Sequence, residues 1–206
     1  MIKKCILLAA GLGTRLQPIT NNTPKCLVEI HERPLLEYWL ILLHKHGITN
    51  VLINTHHLSQ QVEQYIESLD IPLEVTVSYE RDLLGSLGTI TNNKDYYKDE
   101  KSILVANADN LININLTRFF KHHFSHDFDA SIALMTTKNP SECEIVEIGD
   151  YQEIISYEEK PKNPKTNISN AGVYLFNTSI FRNLDAKSGL YDIGNDLLPK
   201  LIGRSY

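Results

Sequence analysis

Residues 3–18 read KKCILLAAGLGTRLQP, and this stretch decides the fold. An apolar run from Cys5 to Ala10 leads straight into Gly11, Leu12, Gly13, Thr14 and Arg15, so a buried strand is predicted to end in a loop with little side-chain bulk. Backbone amides approach a ligand closely in such a loop, and glycine tolerates positive φ, which lets the N–H groups curl around a phosphate. Arg15 adds a planar, charged fork at the far end. The same residues also suit a plain tight turn after a core strand, so the reading depends on what the rest of the chain brings to the loop.

Beyond the loop, residues 18–24 are bracketed by Pro18 and Pro24 and contain Asn21 and Asn22, which favours irregular structure. Lys25 follows, between a proline and the apolar Cys26, Leu27 and Val28; it suits a surface lysine or a cation aimed at the glycine loop. Pro34 opens a helical pattern through Leu35, Leu36, Tyr38, Trp39, Leu42 and Leu43, closed by Gly47. A strand is predicted at 51–54, a helix at 58–69, strands at 73–79 and 103–106, and a helix at 116–124. This alternation predicts an α/β protein with a mostly parallel central sheet covered by helices on both faces. Ligands of such sheets bind beyond the carboxyl ends of the strands, which puts the glycine loop and Asp109 on one rim.

The second half changes character. Short strands are predicted at 131–136, 144–148, 153–157 and 172–176, with a weak helix at 179–184, so antiparallel strands extend the C-terminal half. No internal repeat, low-complexity tract or linker interrupts the chain, and one domain is expected over 1–206.

The 42% hydrophobic and 22% charged composition is that of an ordinary globular protein. The longest apolar runs are far too short to cross a bilayer, and the start does not read as a signal peptide. Cys5, Cys26 and Cys143 lack C-x-x-C spacing, which points to reduced thiols and a cytoplasmic protein. A formal charge of −5 argues against a nucleic-acid binder, although a small polyanion remains possible where cations gather locally.

Several further residues are suited to chemistry. Asp109 ends the apolar strand VANADN, where a carboxylate either caps the turn or provides the hard oxygen that Mg²⁺ requires. Gly85, Ser86, Leu87, Gly88 and Thr89 form a second small-residue loop. Its backbone suits a flat ring edge, with Leu87 over the ring face, or simply a turn before a helix. Glu158, Glu159, Lys160, Pro161 and Lys162 form a charged stretch typical of a solvated loop, and Gly172 leaves room for another molecule to approach. The pair His56 and His57 and the group His122, His123 and His126 lack Cys partners and H-E-x-x-H spacing, so a transition-metal site is not expected. G-x-S-x-G and Walker patterns are missing as well.

Taken together, LLAAGLGTRLQPIT, TPKCLVEI and ERPLLEYWL resemble the opening signature of the sugar-1-phosphate nucleotidyltransferases, G-x-G-T-R-L-x-P-x-T followed by P-K-x-L and a proline before the first long helix. LLGSLGTI is similar to that family's base-binding L-G-T-A-G segment, with Ser86 and Leu87 as departures. VANADN resembles its metal-aspartate strand end, EEKP its sugar-phosphate loop and NAGVYLF the strand behind the sugar. The mannose-1-phosphate and heptose-1-phosphate guanylyltransferases are the members it resembles most.

The resemblance implies a Rossmann-like fold with a nucleotide-binding half at 1–126 and a sugar-binding half at 127–206. It implies condensation of a nucleoside triphosphate, GTP foremost, with a sugar 1-phosphate, releasing pyrophosphate. Uridylyl, thymidylyl or cytidylyl transfer, the last including phosphocholine, is the alternative on the same fold, as is a catalytically silent nucleotide-sugar-binding module. Nucleotide binding is implied for Leu8, Ala9, Ala10, Gly11, Leu12, Gly13, Thr14, Arg15, Lys25, Gly85, Ser86 and Gly88. Arg15, Lys25 and Asp109 are the implied catalytic residues. Asn107, Glu159, Lys160, Asn170 and Gly172 are implied to hold the sugar phosphate. Asp109 would bind the Mg²⁺ cofactor. The family's second metal aspartate, near the C-terminus, is matched only superficially by Asp192, and the sequence is expected to stop short of it, with metal-dependent activity weak until the C-terminus is extended. Partners are the two substrates, with neither nucleic acid nor membrane, and a homo-oligomer is compatible with the antiparallel portion.

Overall fold

Cys5, Ile6 and Leu7 are completely buried, as a strand covered on both faces requires, and they form the centre of β1 (Lys4–Leu8). The computed structural model describes residues 2–182, 184 and 191–205. The chain divides into two compact units, one built from Met1–Leu83 and Ile103–Thr117, the other from Leu84–Ser102 and Arg118–Tyr206. These differ from the halves expected at 1–126 and 127–206: residues 84–102 fold with the second unit, and the chain returns to it at Arg118.

In the first unit, a two-residue hairpin, β2 (Glu29–Ile30) with β3 (Arg33–Pro34), leads into α1 (Leu35–Lys45). Leu35, Leu36, Trp39, Leu40 and Leu43 recur at helical spacing and are buried, each contributing about 1.5–3 kcal/mol by leaving water. Gly47 at φ 81 ends the helix, the left-handed stop that a glycine permits. β4 (Asn50–Thr55), α2 (Ser59–Ser68) and β5 (Glu74–Tyr79) follow, and β6 (Ser102–Asn107) completes the set. The four long strands run parallel in the order β5-β4-β1-β6. Ile6 stands opposite Leu52 on one side and Val105 on the other.

In the second unit, α3 (Ser86–Asn92) and α4 (Lys94–Tyr97) precede β7 (Ala130–Thr136), β8 (Glu144–Ile148), β9 (Ile154–Glu159) and β10 (Ile168–Asn177). α5 (Leu116–His123) contains the point at which the chain passes into this unit. β10 pairs antiparallel with β7 and β8, and β8 pairs antiparallel with β9. The expected split between parallel strands early and antiparallel strands late is therefore present. β10 is twice the predicted strand, because its apolar residues continue on both sides of a bulge between Asn170 and Tyr174. The helix expected at 179–184 is a single 3-10 stretch, Thr178–Phe181, and Asn183 lies outside the described residues. Among the described residues, no helix is long and apolar enough to cross a membrane.

Candidate functional site

Because β1, β4, β5 and β6 are parallel, their carboxyl ends share one edge of the first unit. In chain order they lie third, second, first, fourth, so the direction of winding reverses between β1 and β6. Loops leaving two such strands diverge and open a crevice, the preferred ligand position of α/β sheets. The glycine loop leaves β1 here, and the Asp109 turn leaves β6.

The loop is held from beneath by groups that the sequence did not single out. Ala9 N–H donates to Asn54 Oδ1 at 2.7 Å, and Asn54 Nδ2 donates to the buried Glu80 carboxylate at 2.9 Å. Ala108 N–H donates to the Leu8 carbonyl at 3.0 Å, tying the two loops to each other. Gly13 has φ 64, and a Cβ there would meet Thr20 Cγ2 at 2.8 Å and Lys25 Cβ at 3.2 Å. Its carbonyl accepts from the Thr20 hydroxyl and from Leu16 N–H, both at 2.8 Å. Glycine at 13 thus lets the loop lie directly against Lys25. Gly11 differs: it is exposed, and a Cβ there would meet nothing within 4 Å. Leu12, Thr14 and Arg15 are exposed as well, while Ala10 is buried.

Lys25 Nζ donates to Asp109 Oδ2 at 2.5 Å, across 84 residues of sequence. The lysine side chain is 19% exposed and the aspartate 36%, so the pair opens on one side to solvent. Trp39 Nε1 donates to the Asn110 carbonyl at 2.8 Å and fixes the turn that carries Asp109. Asn107, half-buried, ends β6 opposite Leu8. Cys26, next to Lys25, is buried, and burial pushes its thiol up to about 12, which keeps it protonated and inert. The rim therefore presents a fixed ammonium, a carboxylate, loop amides and the Arg15 guanidinium, a set suited to binding and neutralising phosphates.

The remaining expected site residues lie in the second unit, and several have structural duties there. Gly85 has φ 77, and a Cβ on it would fall 2.4 Å from the Tyr191 carbonyl oxygen. Leu87 and Gly88 N–H both donate to that same carbonyl, at 2.9 and 3.2 Å. Leu87 is fully buried in the first turn of α3, so of the two readings of this loop the structure shows the helix start, with its leucine packed in the core. Ser86 Oγ donates to Asp192 Oδ2 at 2.7 Å. Asp192 Oδ1 accepts from Gly194 N–H at 2.8 Å and Asn195 N–H at 3.3 Å. Both its oxygens are thus engaged, Oδ1 in capping the turn Ile193–Leu197 and Oδ2 in accepting from Ser86.

Glu159 and Lys160 are exposed and pair with each other at 3.0 Å. The Lys160 ammonium first, and Asn195 second, hold the Glu159 carboxyl below the usual carboxylate range. Asn170 is enclosed by its own network: Nδ2 donates to Glu144 Oε2 at 2.6 Å and to Tyr174 Oη at 2.7 Å, and Oδ1 accepts from Gly172 N–H at 2.9 Å. Gly172, at φ 71 in the β10 bulge, is buried, a backbone position that favours glycine. Glu144 and Tyr157 approach Gly194, where a Cβ would lie 2.6 Å from Tyr157 Oη and 3.2 Å from Glu144 Oε1. Burial, with Glu144 beside it, pushes the Tyr157 hydroxyl well up.

The sequence signal for Asn54 was its place at the carboxyl end of a predicted strand, but Glu80 and Glu144 carried none. The histidines have ordinary partners: His56 Nδ1 lies 2.8 Å from the Glu80 carbonyl, and His123 Nδ1 lies 2.9 Å from Ser131 Oγ. Among the described residues, no group of three or more His, Cys, Asp or Glu side chains is arranged to hold a metal ion.

A parallel sheet whose glycine loop meets a lysine and a carboxylate at the reversal of winding defines an α/β protein with a site suited to phosphates. A sequence profile described as Nucleotidyl transferase matches residues 4–206, and the chain belongs to this nucleotidyl transferase family. It is 30% identical over 198 residues to the D-glycero-alpha-D-manno-heptose 1-phosphate guanylyltransferase of Aneurinibacillus thermoaerophilus, covering 96% of this chain and 84% of that protein. It is 29% identical over 215 residues to the UTP--glucose-1-phosphate uridylyltransferase of Synechocystis sp., covering 97% of this chain and 55% of that protein. The chain thus spans about half the length of that protein and of several other curated relatives. Its structure is similar to the crystal structure of HddC from Yersinia pseudotuberculosis, with a TM-score of 0.81 over 100% of this chain and 90% of that one. At 24% identity that likeness is one of fold.

Proposed function

We propose that the chain transfers a nucleoside monophosphate from a nucleoside triphosphate, GTP foremost, to a sugar 1-phosphate of the mannose or heptose kind, with release of pyrophosphate. The observation that carries this reading is the Lys25 ammonium, held by Asp109 at 2.5 Å beside Gly13 where the first unit's winding reverses. Gly11 supports it, because no internal packing demands a glycine there, whereas a backbone that must approach a phosphate does.

An oxygen of the sugar phosphate attacks the α-phosphorus in line as the bond to the bridging oxygen of the departing pyrophosphate breaks, and the electron pair leaves with pyrophosphate. No covalent enzyme intermediate is needed, so positioning and charge neutralisation carry the catalysis. The amides of Leu12 and Gly13 and the Arg15 guanidinium hold the triphosphate tail. Lys25 meets the α-phosphate, where negative charge builds; two unit charges about 4 Å apart interact by roughly 4 kcal/mol at an effective dielectric near 20. Its tether to Asp109 limits the freedom the ammonium would otherwise lose on binding. In the second unit, Lys160 binds the attacking phosphate and Glu159 the sugar hydroxyls; their mutual pair opens to admit them.

A magnesium ion fits Asp109. Its Oδ1 has no protein partner among the described residues, and magnesium takes one or two carboxylates together with substrate phosphates and water. When bound, the ion would neutralise phosphate charge. Asp192 is a poor second ligand because Oδ1 serves as a cap and Oδ2 accepts from Ser86.

Guanine and a mannose-type sugar are favoured by the relative from Aneurinibacillus thermoaerophilus, of which the chain covers 84%. Uridylyl transfer is the second reading, favoured by the relative from Synechocystis. A panel of nucleoside triphosphates against sugar 1-phosphates, read as pyrophosphate release with Mg²⁺, tests both. GTP with mannose or heptose 1-phosphate is expected to turn over fastest. UTP with glucose 1-phosphate in that place would select the second reading, and thermal stabilisation by a nucleotide without turnover of any pair would leave only a binding module.

A further inference from the structure

The second unit contains a cavity of about 260 Å³ that none of the candidate site residues line. Its walls are Lys94, Tyr97, Lys98, Thr178, Phe181 and Arg182. Three of these six carry positive charge and none is acidic, against the trend of a chain with formal charge −5.

The neutral part of the lining is fixed internally. Tyr97 Oη donates to the Ile90 carbonyl at 3.0 Å, and its ring meets Phe181 edge to face at 5.9 Å. Phe181 in turn meets Phe176 edge to face at 5.5 Å. Thr178 Oγ1 donates to the Glu100 carbonyl at 2.6 Å, and Thr178 N–H donates to the Lys101 carbonyl at 2.9 Å. These groups give the cavity a preformed shape, which lowers the ordering cost of binding.

The cationic heads are less committed. Lys94 Nζ donates to the Leu184 carbonyl, which leaves two of the three N–H groups of its ammonium. Lys98 has a 3.9 Å contact with the fully exposed Asp95, too long and too solvated to neutralise it. The Arg182 side chain is exposed. The cavity therefore combines the aromatic wall of Tyr97 and Phe181 with two lysine ammonium groups and the Arg182 guanidinium.

We infer that this cavity binds a small phosphate monoester. Such a ligand carries close to two negative charges near neutral pH, with three acceptor oxygens, which matches three cations better than a single carboxylate does. The volume lies just under the range of drug-sized sites, roughly 300–1,000 Å³, so the organic half is small. Arginine's fork and the lysine ammonium groups hold the phosphate, and the Tyr97 and Phe181 side receives the carbon skeleton.

Calorimetric titration with glycerol 3-phosphate and, separately, inorganic phosphate tests this. The proteins are the wild type, a Lys98→Ala/Arg182→Ala double variant and a Lys25→Ala variant. Both altered cavity side chains are exposed, and the circular dichroism of the double variant checks its fold; Arg182→Gln alone repeats the test with a smaller change. Glycerol 3-phosphate should bind wild type and Lys25→Ala alike, and bind the double variant about tenfold or more weakly, the loss expected when charge-assisted hydrogen bonds disappear. Unchanged affinity in the double variant and in Arg182→Gln would overturn the assignment. So would loss of binding in Lys25→Ala, which would put the ligand on the first unit's rim, or binding of inorganic phosphate alone, which would remove any role for the organic half.

Discussion

Gly85→Ala tests the packing of the second unit at one atom. At φ 77 and ψ 167, Gly85 occupies backbone space essentially reserved for glycine, and forcing another residue into it costs about 1–3 kcal/mol. The added Cβ would also fall 2.4 Å from the Tyr191 carbonyl oxygen and 2.6 Å from the Tyr191 nitrogen, both backbone atoms that cannot rotate away. Moving Tyr191 disturbs three hydrogen bonds, Leu87 N–H and Gly88 N–H to its carbonyl and its own N–H to the Leu84 carbonyl, each worth about 0.5–1.5 kcal/mol. The total loss is roughly 3–7 kcal/mol, a large share of the 5–15 kcal/mol typical of a domain. Gly47→Ala is the matched control: its φ is also positive, at 81, but a Cβ there meets nothing within 4 Å, so only the conformational cost of about 1–2 kcal/mol remains. Urea titration followed by far-ultraviolet circular dichroism measures both. A Gly85→Ala protein no more than about 1 kcal/mol less stable than Gly47→Ala would refute the reasoning, because the close approach would then carry no energy.

Lys25→Ala should lower the rate of pyrophosphate release about 10²–10³-fold, by analogy with removal of one transition-state donor, while far-ultraviolet circular dichroism stays unchanged; a near-wild-type rate would remove Lys25 from the chemistry. Asn54→Ala removes one hydrogen bond from the buried Glu80 carboxylate and one from the Ala9 amide, so a stability loss of about 1–3 kcal/mol is expected from urea midpoints, and Asn54→Asp, which sets two carboxylates together, should be at least as damaging. Burial holds the His123 pKa below its ordinary value near 6.5, so between the folded pKa and 6.5 the unfolded chain binds the extra proton; stability should be full above 6.5 and fall as pH drops below it, and the slope of the urea midpoint between about pH 7.5 and 5.5 should flatten in His123→Gln. Cys143, half-buried, should react first with a thiol reagent in the native protein, while Cys5 and Cys26 wait for unfolding; equal rates for all three would contradict the burial.

Much of this molecule was legible in residue order because the relevant physics is local. An apolar run such as Cys5 to Leu7 must be a covered strand, Leu35, Leu36, Trp39 and Leu43 must share a helix face, and a glycine pair after a strand must be a loop. The loop at 85–88 was harder, since its small residues suit a ligand edge and a helix start equally. The structure shows the helix start, with the Leu87 and Gly88 amides given to the Tyr191 carbonyl. Gly172 behaved likewise: a glycine in a strand marks a bulge or an approach path, and the register shift between Asn170 and Tyr174 identifies the bulge.

The sequence by itself determined the strand–loop–helix grammar, the parallel-then-antiparallel division and the identities of Arg15, Lys25 and Asp109 as the chemically apt residues. The tertiary structure decided which of these meet. Lys25 and Asp109 are 84 residues apart, and they touch because parallel pairing of β1 with β6 brings the loops leaving both strands to one edge. The same register places Asn54 under Ala9 and against Glu80, whereas Asp192 is taken up by the turn it caps and by Ser86. Composition and periodicity fix which residues are buried and in what element. The partner of a polar side chain depends on strand order and register, which are set by the packing of the whole sheet and not by any residue's neighbours in sequence.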